Sequence, residues 1–223
     1  MDNNEINNNE FEYSYDKTAK RKNIESAFTG IAAIYIPMAI VALVSRFFGK
    51  GCLSTLIALA VLVTTIIYEV RVYQLGSMYS SKLVKSVVFY ILSVVASFVG
   101  VIAAVVIVLI VAGTNENMVI SGALISAAVL EIVVFVLQAI AIRLETSGFA
   151  DIVRPYSEEL SNEWNTVFVI WVISYAVSTI GAIAGVFFDN ALLTLAFAIP
   201  GAAIGVFAVI KKINAFVECK VLG

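Results

Sequence analysis

Five stretches of this chain run for 18 to 30 residues without a single charge: 26–45, 51–68, 86–115, 164–188 and 190–210. A helix rises 1.5 Å per residue, so about 20 residues cross a hydrocarbon layer roughly 30 Å thick. Inside that layer every backbone N–H and C=O must be satisfied within its own segment, which a helix does and an open strand does not. The five stretches are read as transmembrane helices. A sixth apolar stretch, 118–142, is interrupted only by Glu131. The chain is 61% hydrophobic and 13% charged, whereas a soluble domain carries about 25% charged residues. One aqueous core cannot absorb that apolar excess.

The expected fold class is an all-α, polytopic membrane protein of six transmembrane helices, paired as three antiparallel hairpins. The helices are placed at about 26–45, 51–68, 86–113, 118–142, 164–188 and 190–210. Residues 1–25 are expected to be a disordered cytoplasmic tail, because their Asn and acidic side chains offer little apolar area to offset ordering entropy. Residues 211–223 are expected to be a second cytoplasmic tail. The outer connections at 46–51, 113–117 and 189–190 are short enough to force hairpins.

Cytoplasmic flanks retain Lys and Arg. With the N-terminus inside, the inner segments hold twelve basic residues, Lys17, Lys20, Arg21, Lys22, Arg71, Lys82, Lys85, Arg143, Arg154, Lys211, Lys212 and Lys220, against two outside, Arg46 and Lys50. Both termini are therefore expected in the cytoplasm, and the economy of the loops points to a bacterial inner membrane. Tyr68, Tyr73, Tyr79, Tyr90 and Trp164 are expected at the inner headgroup level, where amphipathic rings collect. Between 143 and 163, apolar residues recur at helical spacing from Phe149 to Trp164. Pro155 is expected to break that segment and to restart a helix near its own first turn. Cys52 and Cys219 fall on opposite sides of the bilayer, so no internal disulfide or thiolate metal site is expected.

Histidine is absent. That removes the imidazole base of Ser-His-Asp and Cys-His systems and the ligands of an HExxH zinc site. No phosphate-binding glycine loop, EF-hand or zinc spacing occurs, and the net charge of −2 leaves no basic surface for nucleic acid. No enzyme activity, cofactor, catalytic residue or metal site is expected.

Small residues form stripes at spacings of 4, 3 and 4: Ser93, Ser97, Gly100 and Ala104; Ser174, Ser178, Gly181 and Gly185; Thr194, Ala198, Gly201 and Gly205. Each set lies within about 60° on one helix face. Lipid gives no hydrophobic drive between helices, so close backbone approach along such faces holds them together. They are read as packing seams, with a polar path as the alternative. Pro200 is expected to kink the last helix.

Glu131 is the single site candidate inside the bilayer. An acid at the bilayer centre costs about 2.5–3.5 kcal/mol on insertion scales, which favours a position facing protein or water. Its own face carries Leu124, Ala127, Ala128, Phe135 and Gln138, and hydroxyl partners are sought in Ser174, Ser178, Ser93, Ser97 and Tyr175. The candidate proton or cation site is Glu131 with Gln138, Ser174 and Ser178. The first expectation for function is a non-enzymatic accessory or assembly subunit of a membrane complex. Its partners would be the lipid bilayer and other membrane subunits or a second copy. The alternative is a small channel or secondary transporter built on Glu131.

The orientation has a direct check. Single cysteines placed at Lys50 and at Lys20, in a background lacking Cys52 and Cys219, should react with an impermeant maleimide from outside at Lys50 only. Labelling of Lys20 in intact cells defeats the assignment.

Overall fold

The computed structural model describes the backbone of residues 3–45, 52–111, 116–188 and 191–222, and side chains mainly over 17–42, 55–106, 128–181 and 195–222. The outer connections therefore lie outside the described residues, as do the side chains of Cys52 and Glu116 and the seam position Gly185. The described chain is entirely helical: α1 (Asn3–Ser45), α2 (Cys52–Tyr79), α3 (Ser81–Val111), α4 (Glu116–Val153), α5 (Glu158–Phe188) and α6 (Ala191–Glu218). Five of these, all but α4, are long and apolar enough to cross a membrane among the described residues.

The helices are longer than the uncharged runs. α2 continues eleven residues past Tyr68, α4 eleven past Ile142 and α6 eight past Ile210. A charge ends a membrane span but not a helix, because Glu, Lys and Arg are good helix formers. Residues 211–223, expected as a tail, are thus mostly the end of α6, and Ala215, Phe216, Cys219 and Leu222 are buried. α1 likewise covers the segment expected to be disordered, beginning at Asn3. No Gly or Pro precedes Gly30 to interrupt it. The break at Pro155 lies in the turn between α4 and α5. Ser157 caps α5 there, its Oγ accepting the Leu160 N–H at 3.1 Å.

Each helix packs on its neighbour in sequence, and α6 returns to α1, so the six form a closed ring. Pairing is antiparallel around it. Tyr35 meets Tyr68 and Met38 meets Thr65 between α1 and α2. Between α3 and α4, Lys82 pairs with Asp151 at 2.6 Å, while Gly100 abuts Leu130. In α5 and α6, Glu163 takes Lys211 at 3.2 Å and Gly181 abuts Phe197. α1 and the C-terminus close the ring through the Glu25 carboxylate, which accepts the Leu222 N–H at 2.9 Å.

The core sits at one end of this ring. Phe28, Tyr35, Phe149, Trp164 and Phe216 interlock with centroid separations of 4.7 to 6.3 Å in tilted and edge-on arrangements, which suit the ring quadrupole. Tyr68 and Trp164 are core residues here, not headgroup anchors; Tyr73 is exposed. Between 149 and 164, the apolar residues that recur at helical spacing, Phe149, Ile152, Val153 and Leu160, are buried in the same core.

Glycine matters most where two helices touch through backbone. A Cβ on Gly76 would lie 2.7 Å from Leu83 Cβ and 2.9 Å from the Val84 backbone nitrogen, and neither can move without shifting α3. A Cβ on Gly30 meets nothing within 4 Å. Gly76→Ala should cost roughly 1–3 kcal/mol through overpacking, whereas Gly30→Ala should be neutral or stabilising by up to about 1 kcal/mol through helix propensity. Thermal unfolding in mild detergent tests the pair; equal effects would contradict the packing described.

Candidate functional site

Helical periodicity places charged residues on the buried faces of α2, α4 and α6. In α4 a buried stripe runs through Ala141, Ile142, Glu145, Thr146, Phe149, Ala150 and Val153, and in α6 through Ala208, Val209, Lys212, Ala215 and Phe216 to Cys219 just past its end. Those successive steps of 1 and 3 define one stripe on each helix, and Glu145 and Lys212 occupy the middle of theirs. Both face inward because their helices pack there on either side of an aromatic wall.

Glu145 is 1% exposed and fully partnered. Its Oε1 accepts Lys212 Nζ at 2.8 Å and also the Tyr68 hydroxyl; its Oε2 accepts the Tyr90 hydroxyl at 3.1 Å. The Lys212 ammonium lies 4.7 Å from the centre of the Tyr35 ring and 5.2 Å from that of Tyr68, within cation–π range. One carboxylate thereby ties α2, α3, α4 and α6 together, and its lysine adds α1. Charge-assisted bonds of this kind are the stronger class, and the low dielectric makes any missing partner costly.

Glu69 lies beside this cluster, one residue after Tyr68, and its charge interacts with those of Glu145 and Lys212. Its Oε2 is buried and accepts no hydrogen bond from the described residues. The Trp171 indole nitrogen is also buried without a partner among the described residues. Both side chains line a cavity of about 630 Å³ inside the ring, to which all six helices contribute. Its walls are mostly apolar or aromatic, including Met38, Ala39, Leu62, Ile66, Tyr73, Val87, Val94, Val95, Tyr175 and Val209, and Glu69 and Lys212 are the ionisable carboxylate and ammonium among them. The exposed lining residues are Leu62, Ile66, Val70 and Tyr73 of α2 and Ile91, Val94 and Val95 of α3. The cavity consequently opens between α2 and α3.

The sequence-derived residues fall elsewhere. Glu131 is exposed on α4 beside Ile132 and Val133. Leu130, not Glu131, fills the groove at Gly100, and the 100° step between successive residues turns Glu131 out of that seam. Gln138 is half-buried, and among the described residues no hydrogen bond joins it, Ser174 or Ser178 to Glu131. Ser174 Oγ instead donates to the Gly201 carbonyl at 2.9 Å. A Cβ on Gly201 would lie 2.6 Å from Ser178 Oγ, and one on Gly205 3.0 Å from Ser174 Oγ. Ser174, Ser178, Gly181, Gly201 and Gly205 thus lie along the α5–α6 contact. Ser93 and Ser97 donate to carbonyls of their own helix, Tyr90 and Ser93, at 2.8 and 2.9 Å.

The cluster escaped a reading by charge counting because Glu69, Glu145 and Lys212 all sit just past the ends of uncharged runs, where they look like ordinary inner flanks. The continuing helical stripe through Glu145 and Lys212 was the available signal. Outside the spans, burial pushes the Cys219 thiol up to about 12 and raises the Tyr156 phenol, so Cys219 is a packing residue with almost no thiolate at neutral pH. No protein family, curated protein or solved structure matches the chain.

Removing one partner of a buried pair leaves an uncompensated charge, at a cost of about 3–5 kcal/mol, whereas replacing both by apolar groups is far milder. Lys212→Met should therefore destabilise much more than the double substitution Lys212→Met, Glu145→Leu. Denaturant unfolding of wild type, Lys212→Met, Glu145→Leu and the double variant reads this, and additive losses of the two single substitutions would show that the pair is not coupled.

Proposed function

We propose that this protein is a multi-pass membrane protein that takes a small, mostly apolar molecule into its central cavity, the binding step of a carrier. Six helices crossing the bilayer as antiparallel hairpins, with both termini in the cytoplasm, are part of this reading. The observation that carries it is the cavity itself. At about 630 Å³ it lies within the range of small-molecule sites, roughly 300–1,000 Å³, and it shares their character of apolar walls with a few polar groups. A subunit role rests on missing chemistry, short loops and small-residue seams, and the Ser174, Ser178, Gly181, Gly201 and Gly205 seam is taken up by the α5–α6 contact within the chain; the cavity is a positive feature, and the carrier reading is preferred for that reason. It keeps the transport alternative but moves its site from Glu131 to the space between Glu69, Trp171 and Lys212.

The positive-inside pattern supports a location for the cavity. Glu69, Glu145 and Lys212 lie next to Arg71, Arg143 and Lys211 in sequence, so the polar end of the cavity is at the cytoplasmic edge of the hydrocarbon. Leu62, Ala42 and Val95 extend it toward the bilayer centre. A mouth between α2 and α3 gives entry from the inner leaflet.

A ligand that binds only the folded state raises its melting temperature. In a thermal-shift screen of small amphiphiles against the protein in nanodiscs, at least one compound should raise the wild-type midpoint by several degrees. Ala39→Phe, which fills the cavity from α1, should abolish that shift while remaining folded. An unchanged shift in Ala39→Phe would place the ligand elsewhere.

A further inference from the structure

We infer that the cavity selects an organic cation, an alkyl or aryl ammonium whose positive group is held by Glu69 and whose apolar part occupies the space between α2 and α3. This rests on the cavity being a ligand site and adds the charge of the ligand. The balance of charge carries it. Lys212 is committed to Glu145 at 2.8 Å, and the remaining bonds to that carboxylate come from Tyr68 and Tyr90. That pair is neutral as a unit. Among the described lining residues Glu69 is then the acid left over, and its buried Oε2 has no donor among them. A buried carboxylate oxygen without a donor is costly, and a ligand cation beside it lowers that cost on binding.

The aromatic lining fits the same ligand. Tyr73, Trp171 and Tyr175 line the same cavity as Glu69, the Trp171 and Tyr175 rings lying 5.7 Å apart. Ring faces attract cations and are the usual companions of an acid in ammonium recognition. An anion would find the Lys212 ammonium already paired and Tyr35 and Tyr68 rings over it. The shared chemistry, an ammonium on an apolar body, is found both in free amphiphilic amines and in amine-bearing lipid headgroups.

Three probes of similar shape and different charge test the inference: tetraphenylphosphonium, triphenylphosphine oxide and tetraphenylborate, measured by equilibrium binding to the full chain in phosphatidylglycerol nanodiscs. Tetraphenylphosphonium should bind saturably at one site per chain and at least tenfold more tightly than the other two. Glu69→Gln, which keeps shape and removes the charge, should weaken the cation at least tenfold and leave the neutral probe within twofold. Adding phosphatidylethanolamine to the nanodiscs should compete if the headgroup is the natural occupant and should have no effect if a free amine is. Preference for the borate, or cation binding that survives Glu69→Gln but is lost in Ala39→Phe, overturns the charge assignment and leaves the cavity reading intact. If none of the probes binds wild type in a manner sensitive to Ala39→Phe, the cavity reading falls together with the inference. Should Glu69→Gln fail to fold, Glu69→Asp, which withdraws the charge by one methylene, is read by the same criterion.

Discussion

A buried carboxylate has to be satisfied completely or not be there, and Glu145 shows how that requirement organises the molecule. Its two oxygens take an ammonium from α6, a phenol from α2 and a phenol from α3. These donors come from positions 55 to 77 residues away in sequence. Omitting any one of them leaves a charge or a lone pair stranded in low dielectric, which costs more than an ordinary packing defect. The relative rotation of four helices is therefore fixed by a single side chain. The aromatic wall of Phe28, Phe149, Trp164 and Phe216 then fills the end of the ring behind it.

The cavity follows from the same geometry. Large rings interlock at the Glu145 end. Beside them, exposed aliphatic side chains of α2 and α3 line a space that the ring's own side chains do not fill. Glu69 and Trp171 line that volume, and each has a buried polar atom with no hydrogen-bond partner among the described residues, a combination better suited to a ligand site than to a packed interior.

Much of the fold was legible along the chain. Uncharged runs located the helices, and the 4, 3, 4 spacing of small residues located the face where α5 meets α6, because both are properties of one helix at a time. The inner ends were misjudged for a related reason. Charge marks where a helix leaves hydrocarbon but says nothing about whether it stops, so α4 and α6 continue into a shared core. Tyr68 and Trp164 have the composition of interface anchors, yet their inward faces are set by neighbouring helices.

The sequence by itself determined that the chain is helical and membrane-like, where its helices lie and which faces allow close approach, since those follow from local periodicity and from the cost of charge in hydrocarbon. Only the tertiary structure decided which acids face inward. Glu131, conspicuous within an apolar run, is turned outward by the seating of Leu130 on Gly100. Glu145 and Glu69, inconspicuous among flanking charges, are turned inward. Burial of a charge depends on donors that arrive from distant helices, and no window of sequence contains both the acid and the residues that satisfy it.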